Sequence, residues 1–77
     1  MFDESKKQIA LKGILTYAQT EYLLYQVNME RSRNATNFAV KMDTVLMAQQ
    51  HLHKHRAAMN ILKDMETMWD LKYEEEG

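Results

Sequence analysis

The sequence predicts an all-α protein, a two-helix antiparallel hairpin that we expect to pair with a second copy into a four-helix bundle. The 77 residues include no proline and only two glycines, Gly13 and Gly77, so strong helix breakers are scarce. Residues with high helix propensity are abundant. Apolar residues recur at spacings of three and four, the period of a helix face, whereas the alternation typical of strands is missing.

The first helix is predicted over about residues 4–31. It begins at Asp3 or Ser5, because the run Ser5 to Gln8 fits a capping box, in which a hydroxyl and a Gln side chain bind free backbone N–H groups. One apolar stripe then runs down the helix, and Ile14, Leu24 and Val27 widen it. The stripe consists of Leu11, Leu15, Ala18, Tyr22, Tyr25 and Met29.

A turn is predicted near Asn34. If the first stripe continued beyond Met29, it would land on Ser32 and Thr36, so the apolar phase is lost there. Ser, Thr and Asn side chains bind local backbone groups and favour turns and helix starts. We therefore expect a second helix beginning near Thr36. Since no glycine or proline enforces the break, one long helix is the alternative.

The second helix is predicted over about residues 37–75, and it is apolar on two sides. Its first stripe is Phe38, Val45, Ala48, Leu52, Met59, Leu62, Trp69 and Tyr73, with the polar members Lys41, His55 and Glu66. A neighbouring stripe is Val40, Met47, Ala58, Ile61, Met65 and Met68. One partner helix buries one stripe, so two stripes are typical of a helix inside a four-helix arrangement.

The unequal predicted lengths leave the end of the second helix without a partner. A hairpin folded at Asn34 places Asp3 opposite Met65, and everything beyond Met65 overhangs. This segment is too apolar to remain bare in water, so we expect a partner to cover it. The predicted partner-binding residues are Met65, Met68, Trp69, Leu71 and Tyr73.

The run HLHKHR, residues 51–56, raises the question of a metal site. His51 and His55 share a helix face at a spacing that lets two imidazoles bind zinc, but a site needs further ligands. The neighbouring cations Lys54 and Arg56 repel a metal ion. We therefore interpret the histidines as a solvated or boundary helix face, and we predict neither a metal nor a cofactor.

Basic residues are concentrated in the middle of the chain. Arg31, Arg33, Lys54 and Arg56 are candidate contacts for an acidic partner. A nucleic-acid-associated regulator using residues 31–56 is the alternative function. The net charge of −1 and the acidic C-terminal end argue against it, because nucleic-acid binding needs a clear basic excess.

The chain is short enough for one domain, residues 1–77, and such a small core seldom stabilises a fold alone. Without cysteine it has no disulfides, so self-association or a partner becomes the expected support. No nucleophile and base have a recognisable catalytic spacing, and we predict a non-enzyme. No membrane-spanning run or signal peptide is visible, so a cytoplasmic location is expected.

The predicted function is a protein-interaction module acting through the second helix: an adaptor, a small chaperone or an inhibitor of a larger protein, of the kind found among phage and bacterial accessory proteins. It binds a second copy, a larger protein, or both.

Overall fold

A computed structural model describes residues 3–74 and confirms the all-α hairpin. Helix α1 spans Glu4–Asn34 and helix α2 spans Phe38–Trp69. The helices run antiparallel, since Glu21 contacts His51 while Ala18, one turn earlier, contacts His55. The hairpin measures 53 × 24 × 14 Å. The single long helix is therefore wrong as an alternative.

Helix α1 begins at Asp3, the first of the two predicted starts. The Asp3 carboxylate accepts a hydrogen bond of 2.8 Å from the backbone N–H of Lys6, so Asp3 is the N-cap. Ser5 lies inside the helix, and the capping box predicted from Ser5 to Gln8 does not form. The side chain of Gln8 instead binds the far end of the chain, as described below.

The turn between the helices covers residues 35–37, where the polar run predicted it. Asn37 is the N-cap of α2, and its side-chain oxygen accepts from the backbone N–H groups of Ala39 and Val40. Arg31 and Arg33 lie in the last turn of α1, where positive charge complements the helix dipole. The local preferences of Ser, Thr and Asn thus suffice to reverse the chain without glycine or proline.

Helix α2 ends at Trp69, earlier than the sequence predicts. Asp70 adopts the left-handed conformation, with φ 49° and ψ 48°. Its N–H donates to the Thr67 carbonyl, and the Leu71 N–H donates to the Glu66 carbonyl at 2.9 Å. This is a Schellman motif, which closes a helix by satisfying its last carbonyl groups. The prediction that α2 continues to residue 75 is wrong for residues 70–74; Glu75 lies outside the described residues.

The early end removes the predicted overhang. The two helices have nearly equal lengths, 31 and 32 residues, and the segment after Trp69 folds back over the start of α1. The Gln8 side chain donates to the Lys72 carbonyl at 2.9 Å and accepts from the Glu74 N–H at 3.0 Å. The Glu66 carboxylate accepts from the Tyr73 N–H at 2.8 Å. These contacts satisfy backbone groups that a longer helix would otherwise pair internally.

Replacing Gln8 with Ala should release the C-terminal segment, because both hydrogen bonds of the side-chain amide would be lost. The backbone amide of Glu74 should then exchange with solvent at least several-fold faster, at a cost of about 1 kcal/mol. Hydrogen exchange read by NMR measures this directly. Gln19→Ala, at an exposed position of the same helix, is the control. Equal exchange rates at Glu74 in both variants would contradict the clamp.

Candidate interaction surface

Most of the buried residues in the seam between the two helices are small or polar. The buried apolar residues among those described are Leu11, Ala18, Ala48, Ala58 and Leu62. The buried polar residues are Glu21, Asn28 and Ser32. Three of the five apolar residues are alanines, which let the helices approach but bury little surface. The seam therefore holds the hairpin together with a modest hydrophobic contribution.

Glu21 and His51 form a polar pair in the middle of the seam. The Glu21 carboxylate lies 2.5 Å from Nδ1 of His51, and Glu21 is only 7 % exposed. A carboxylate at this depth needs a partner, because burial removes its hydration. The pair fixes the register of the two helices, since a shift by one residue would leave the carboxylate unpaired.

His55 makes a second polar contact one turn further along α2. Its Nδ1 lies 2.8 Å from the Ala18 carbonyl oxygen, which only accepts, so Nδ1 carries a proton. The ring also packs against Tyr22, with centroids 5.0 Å apart. The interpretation of HLHKHR as a solvated or boundary face therefore holds in its boundary form for two of the three histidines. His53 is exposed, whereas His51 and His55 are half-buried and turned toward α1.

The paired histidines offer no ready metal site. The Nδ1 atoms of His51 and His55 are both engaged by α1, and their spacing along α2 brings no third ligand near them. Among residues 3–74, no group of three or more His, Asp or Glu side chains is arranged to hold a metal ion. His51 and His55 instead join α2 to α1 through their hydrogen bonds.

The seam remains polar toward the turn. The Asn28 side chain donates to the Leu24 carbonyl at 2.8 Å, and its Oδ1 atom is buried without a hydrogen-bond partner. Ser32 lies opposite the start of α2, where its hydroxyl is 3.5 Å from the Lys41 carbonyl. An unsatisfied buried oxygen is costly, so this end of the hairpin is the weaker half of the seam.

The large apolar residues of the predicted stripes mostly lie beside the seam. Phe38 is 77 % exposed, and Tyr22 and Met59 are also exposed. The contact between the helices is centred on Ala18 and His55, which belong to the predicted stripes, and on Glu21, which does not. These side chains either let the backbones approach or bind across the gap. Sequence periodicity identified the apolar stripes but could not tell which edge of each stripe meets the other helix.

Two apolar faces result, one on each side of the seam. The first, which we call the Leu52 face, is partly covered by the hairpin itself, since its central side chains are half-buried. It comprises Leu15, Tyr22 and Met29 of α1 and Phe38, Val45, Leu52 and Met59 of α2.

The second face, which we call the Ile61 face, is more open. Its α2 residues Val40, Met47, Ile61 and Met68 repeat at multiples of seven, two helical turns, and are 46–71 % exposed. Tyr17 and Leu24 repeat in the same way on α1, and Val27 lies beside them. Ala10, Gly13 and Ala57 complete the face. The neighbouring stripe predicted on α2 corresponds to this face, apart from Ala58, which is buried in the seam, and Met65, which is half-buried at its edge.

An apolar groove runs along the Ile61 face between the helices, with a cavity volume of about 530 Å³. Its lining includes the small residues Gly13, Ala57 and Ala58 and the larger residues Tyr17 and Ile61. A Cβ atom added at Gly13 would meet nothing within 4 Å. The groove is therefore open beside Gly13, and no segment of residues 3–74 fills it.

The structure places the predicted partner-binding residues in three different surroundings. Trp69, Leu71 and Tyr73 are half-buried where the C-terminal segment crosses α1, and the Lys7 ammonium group lies 5.8 Å from the centre of the Trp69 ring. Met65 is half-buried at the edge of the seam. Met68 is 71 % exposed and belongs to the Ile61 face.

The four candidate cations do not form one patch. By helical spacing, Arg31 and Lys54 lie on the Ile61 face, whereas Arg33 and Arg56 lie on the side of the Leu52 face. Arg31 lies level with about residue 41, so Lys54 is roughly 20 Å further along the hairpin. The basic segment of the sequence is thus spread over two sides of the molecule.

Fold and surface together define a polar-seamed helical hairpin with two apolar faces. Comparison with protein-family models, curated proteins and solved structures found no match to this chain. Within residues 3–74, neither helix combines the length and apolar character needed to cross a bilayer.

Proposed function

We propose that this protein is a non-enzymatic protein-interaction module that uses the apolar faces of α2, and chiefly the Ile61 face. The observation that carries the proposal is an inversion of the usual arrangement. Six of the eight buried side chains between the helices are small or polar, the exceptions being Leu11 and Leu62, whereas many large apolar side chains are exposed on both helices beside them. Contiguous apolar surface of this kind marks interaction sites.

The composition of the Ile61 face supports the proposal. Met47 and Met68 are flexible and adapt to irregular partner surfaces. Tyr17 supplies a rigid ring with a polar tip, which suits the edge of an interface. An adaptor, a small chaperone and an inhibitor of a larger protein would all use such a face, and a partner helix in the groove is the natural mode of binding.

The nucleic-acid alternative has less support. It requires Arg31, Arg33, Lys54 and Arg56 to face one phosphate backbone, and these cations lie on two sides of the hairpin. Asp43 and Asp64 flank the two that share a face. Binding that weakens steeply with salt would favour the alternative, because phosphate contacts release counterions.

Ile61→Lys combined with Met47→Lys should abolish association of any kind while leaving the hairpin helical. The double change places two charges on the Ile61 face, and both positions are about half exposed, so the seam is not disturbed. Sedimentation velocity of the purified protein and pull-down from a cell extract measure self-association and partner binding, and circular dichroism checks helix content.

The matched control is Leu23→Lys combined with Leu46→Lys. Leu23 and Leu46 are exposed on the outer sides of the two helices, away from the Ile61 face. Self-association and partner capture that survive equally in both double variants would overturn the proposal.

A further inference from the structure

We infer that the Ile61 face binds a second copy of this chain, in a two-fold dimer whose two turns lie at the same end. This inference rests on the proposed function and names the partner. A dimer related by a two-fold axis buries the same surface on both copies, so the face must be complementary to itself. Its apolar centre satisfies this requirement in any orientation, and its charges decide between orientations.

The charges of the Ile61 face are ordered along the hairpin. Both ends carry a cation on α1 and an acid on α2: Lys6 with Asp64 at the open end, and Arg31 with Asp43 at the turn. Each lies seven or fourteen residues, whole pairs of helical turns, from a residue that lines the groove: Gly13, Ala57, Tyr17 and Ala57 respectively for Lys6, Asp64, Arg31 and Asp43. The Glu21–His51 and Ala18–His55 contacts fix the register of the helices. Along the hairpin axis, each cation is therefore level with its acid to within about one helical turn. Within residues 3–74, none of these four charges lies at salt-bridge distance from an opposite charge. All four therefore remain available to another molecule.

Two face-to-face dimers are possible for a hairpin. In the first, the two-fold axis runs parallel to the helices, so the turns lie together and α1 of one copy covers α2 of the other. In the second, the axis crosses the helices, so the hairpins lie head to tail and α1 covers α1. Both dimers bury the same apolar residues, whereas their charge contacts are opposite in kind.

The charges favour the first dimer. With the turns together, Lys6 faces Asp64 of the second copy and Arg31 faces Asp43 of the second copy, and the two-fold axis repeats both pairs. With the hairpins head to tail, Lys6 would face Arg31 and Asp43 would face Asp64, so every contact would join like charges. Opposite charges at an interface suppress the wrong orientation more than they add affinity.

The centre of the face fits the same arrangement. Lys54 is the remaining charge there, and with the turns together it lies over Tyr17 and Thr20 of the second copy, whose ring and hydroxyl group suit an ammonium group. The groove beside Gly13 and Ala57 leaves room for a side chain such as Ile61 of the second copy. The broad side of the hairpin measures 53 by 24 Å. Its area is larger than the roughly 800 Å² of surface that each partner contributes to a standard interface.

A distance measurement separates the two dimers. The chain has no cysteine, so Thr36→Cys at the exposed turn provides a unique site for a spin label. With the turns together, two labels are separated by about the width of a bundle, roughly 20 Å. In the head-to-tail dimer the separation approaches the 53 Å length of the hairpin. Double electron–electron resonance of the full chain reads either distance.

A charge exchange gives an independent test. Arg31→Glu alone should raise the dimer dissociation constant about tenfold, because two attractive pairs become repulsive. Adding Asp43→Lys should restore it to within about twofold. In the head-to-tail dimer, Arg31→Glu would instead place opposite charges together and tighten association. Sedimentation equilibrium measures the constants, and circular dichroism confirms that both variants remain helical.

The short label distance together with rescue by the second charge change is the expected result. A long distance, or tighter association of Arg31→Glu, would overturn the inference. A folded protein that stays monomeric at high concentration would also overturn it. If that monomer still captures another protein through the Ile61 face, the proposed function survives; if it captures nothing, both fail.

Discussion

Leu11→Ala should destabilise the hairpin by about 3 kcal/mol, enough to leave a large fraction of the chain unfolded at room temperature. Leu11 is the one large side chain that is fully buried among the described residues, so its removal leaves a cavity that the alanines of the seam cannot fill. Because a chain of this size has only about 3–5 kcal/mol of stability from its own core, no reserve remains.

Urea denaturation followed by circular dichroism measures the loss. The protein concentration must be equal for all variants, since self-association would make stability depend on it. Leu23→Ala is the matched control: Leu23 belongs to the same helix but is 60 % exposed, and its truncation should cost at most about 0.5 kcal/mol. Similar losses in the two variants would mean that Leu23 is buried by a partner or that the seam lies elsewhere.

His51→Leu should cost about 2 kcal/mol, whereas Glu21→Leu combined with His51→Leu should restore stability to at least the original level. The single change leaves the Glu21 carboxylate in the seam without its partner. The double change replaces a buried polar pair by packed apolar side chains, which is often neutral or stabilising. The expected loss of stability for His51→Leu is smaller than that for breaking a fully buried pair, because the His51 side chain is 19 % exposed.

Thermal and urea denaturation of the two single variants and the double variant form a double-mutant cycle, which isolates the coupling between the residues. His53→Leu, two residues along the same helix and exposed, serves as the control and should leave stability nearly unchanged. Purely additive losses from Glu21→Leu and His51→Leu would show that the pair contributes no coupling energy.

If the double variant is more stable, the retained pair has a role other than stability. Its position indicates that the pair fixes the register of the two helices, because Glu21 meets His51 in only one alignment of α1 and α2. The same alignment brings Lys6 level with Asp64 and Arg31 level with Asp43. A polar seam would then preserve the charge order on which we base the orientation of the dimer, at some cost in the stability of the single hairpin.

The sequence by itself determined the helical class, the position of the turn and the presence of surplus apolar surface. Each follows from local or periodic chemistry. Asn37 caps a helix with its own side chain, and the stripe through Val40, Met47 and Ile61 follows from the helical period. Such signals need no knowledge of what lies across the seam.

Only the tertiary structure decided which residues meet between the helices and where α2 ends. Periodicity placed both Ala18 and Tyr22 in one stripe, but it could not tell that the acidic Glu21 faces α2 while Tyr22 lies at the edge. The Schellman motif ends α2, and hydrogen bonds between the segment after Trp69 and Gln8, distant in sequence, hold that segment against α1. Long-range contacts of this kind outweigh local helix propensity, which is why the predicted overhang does not exist.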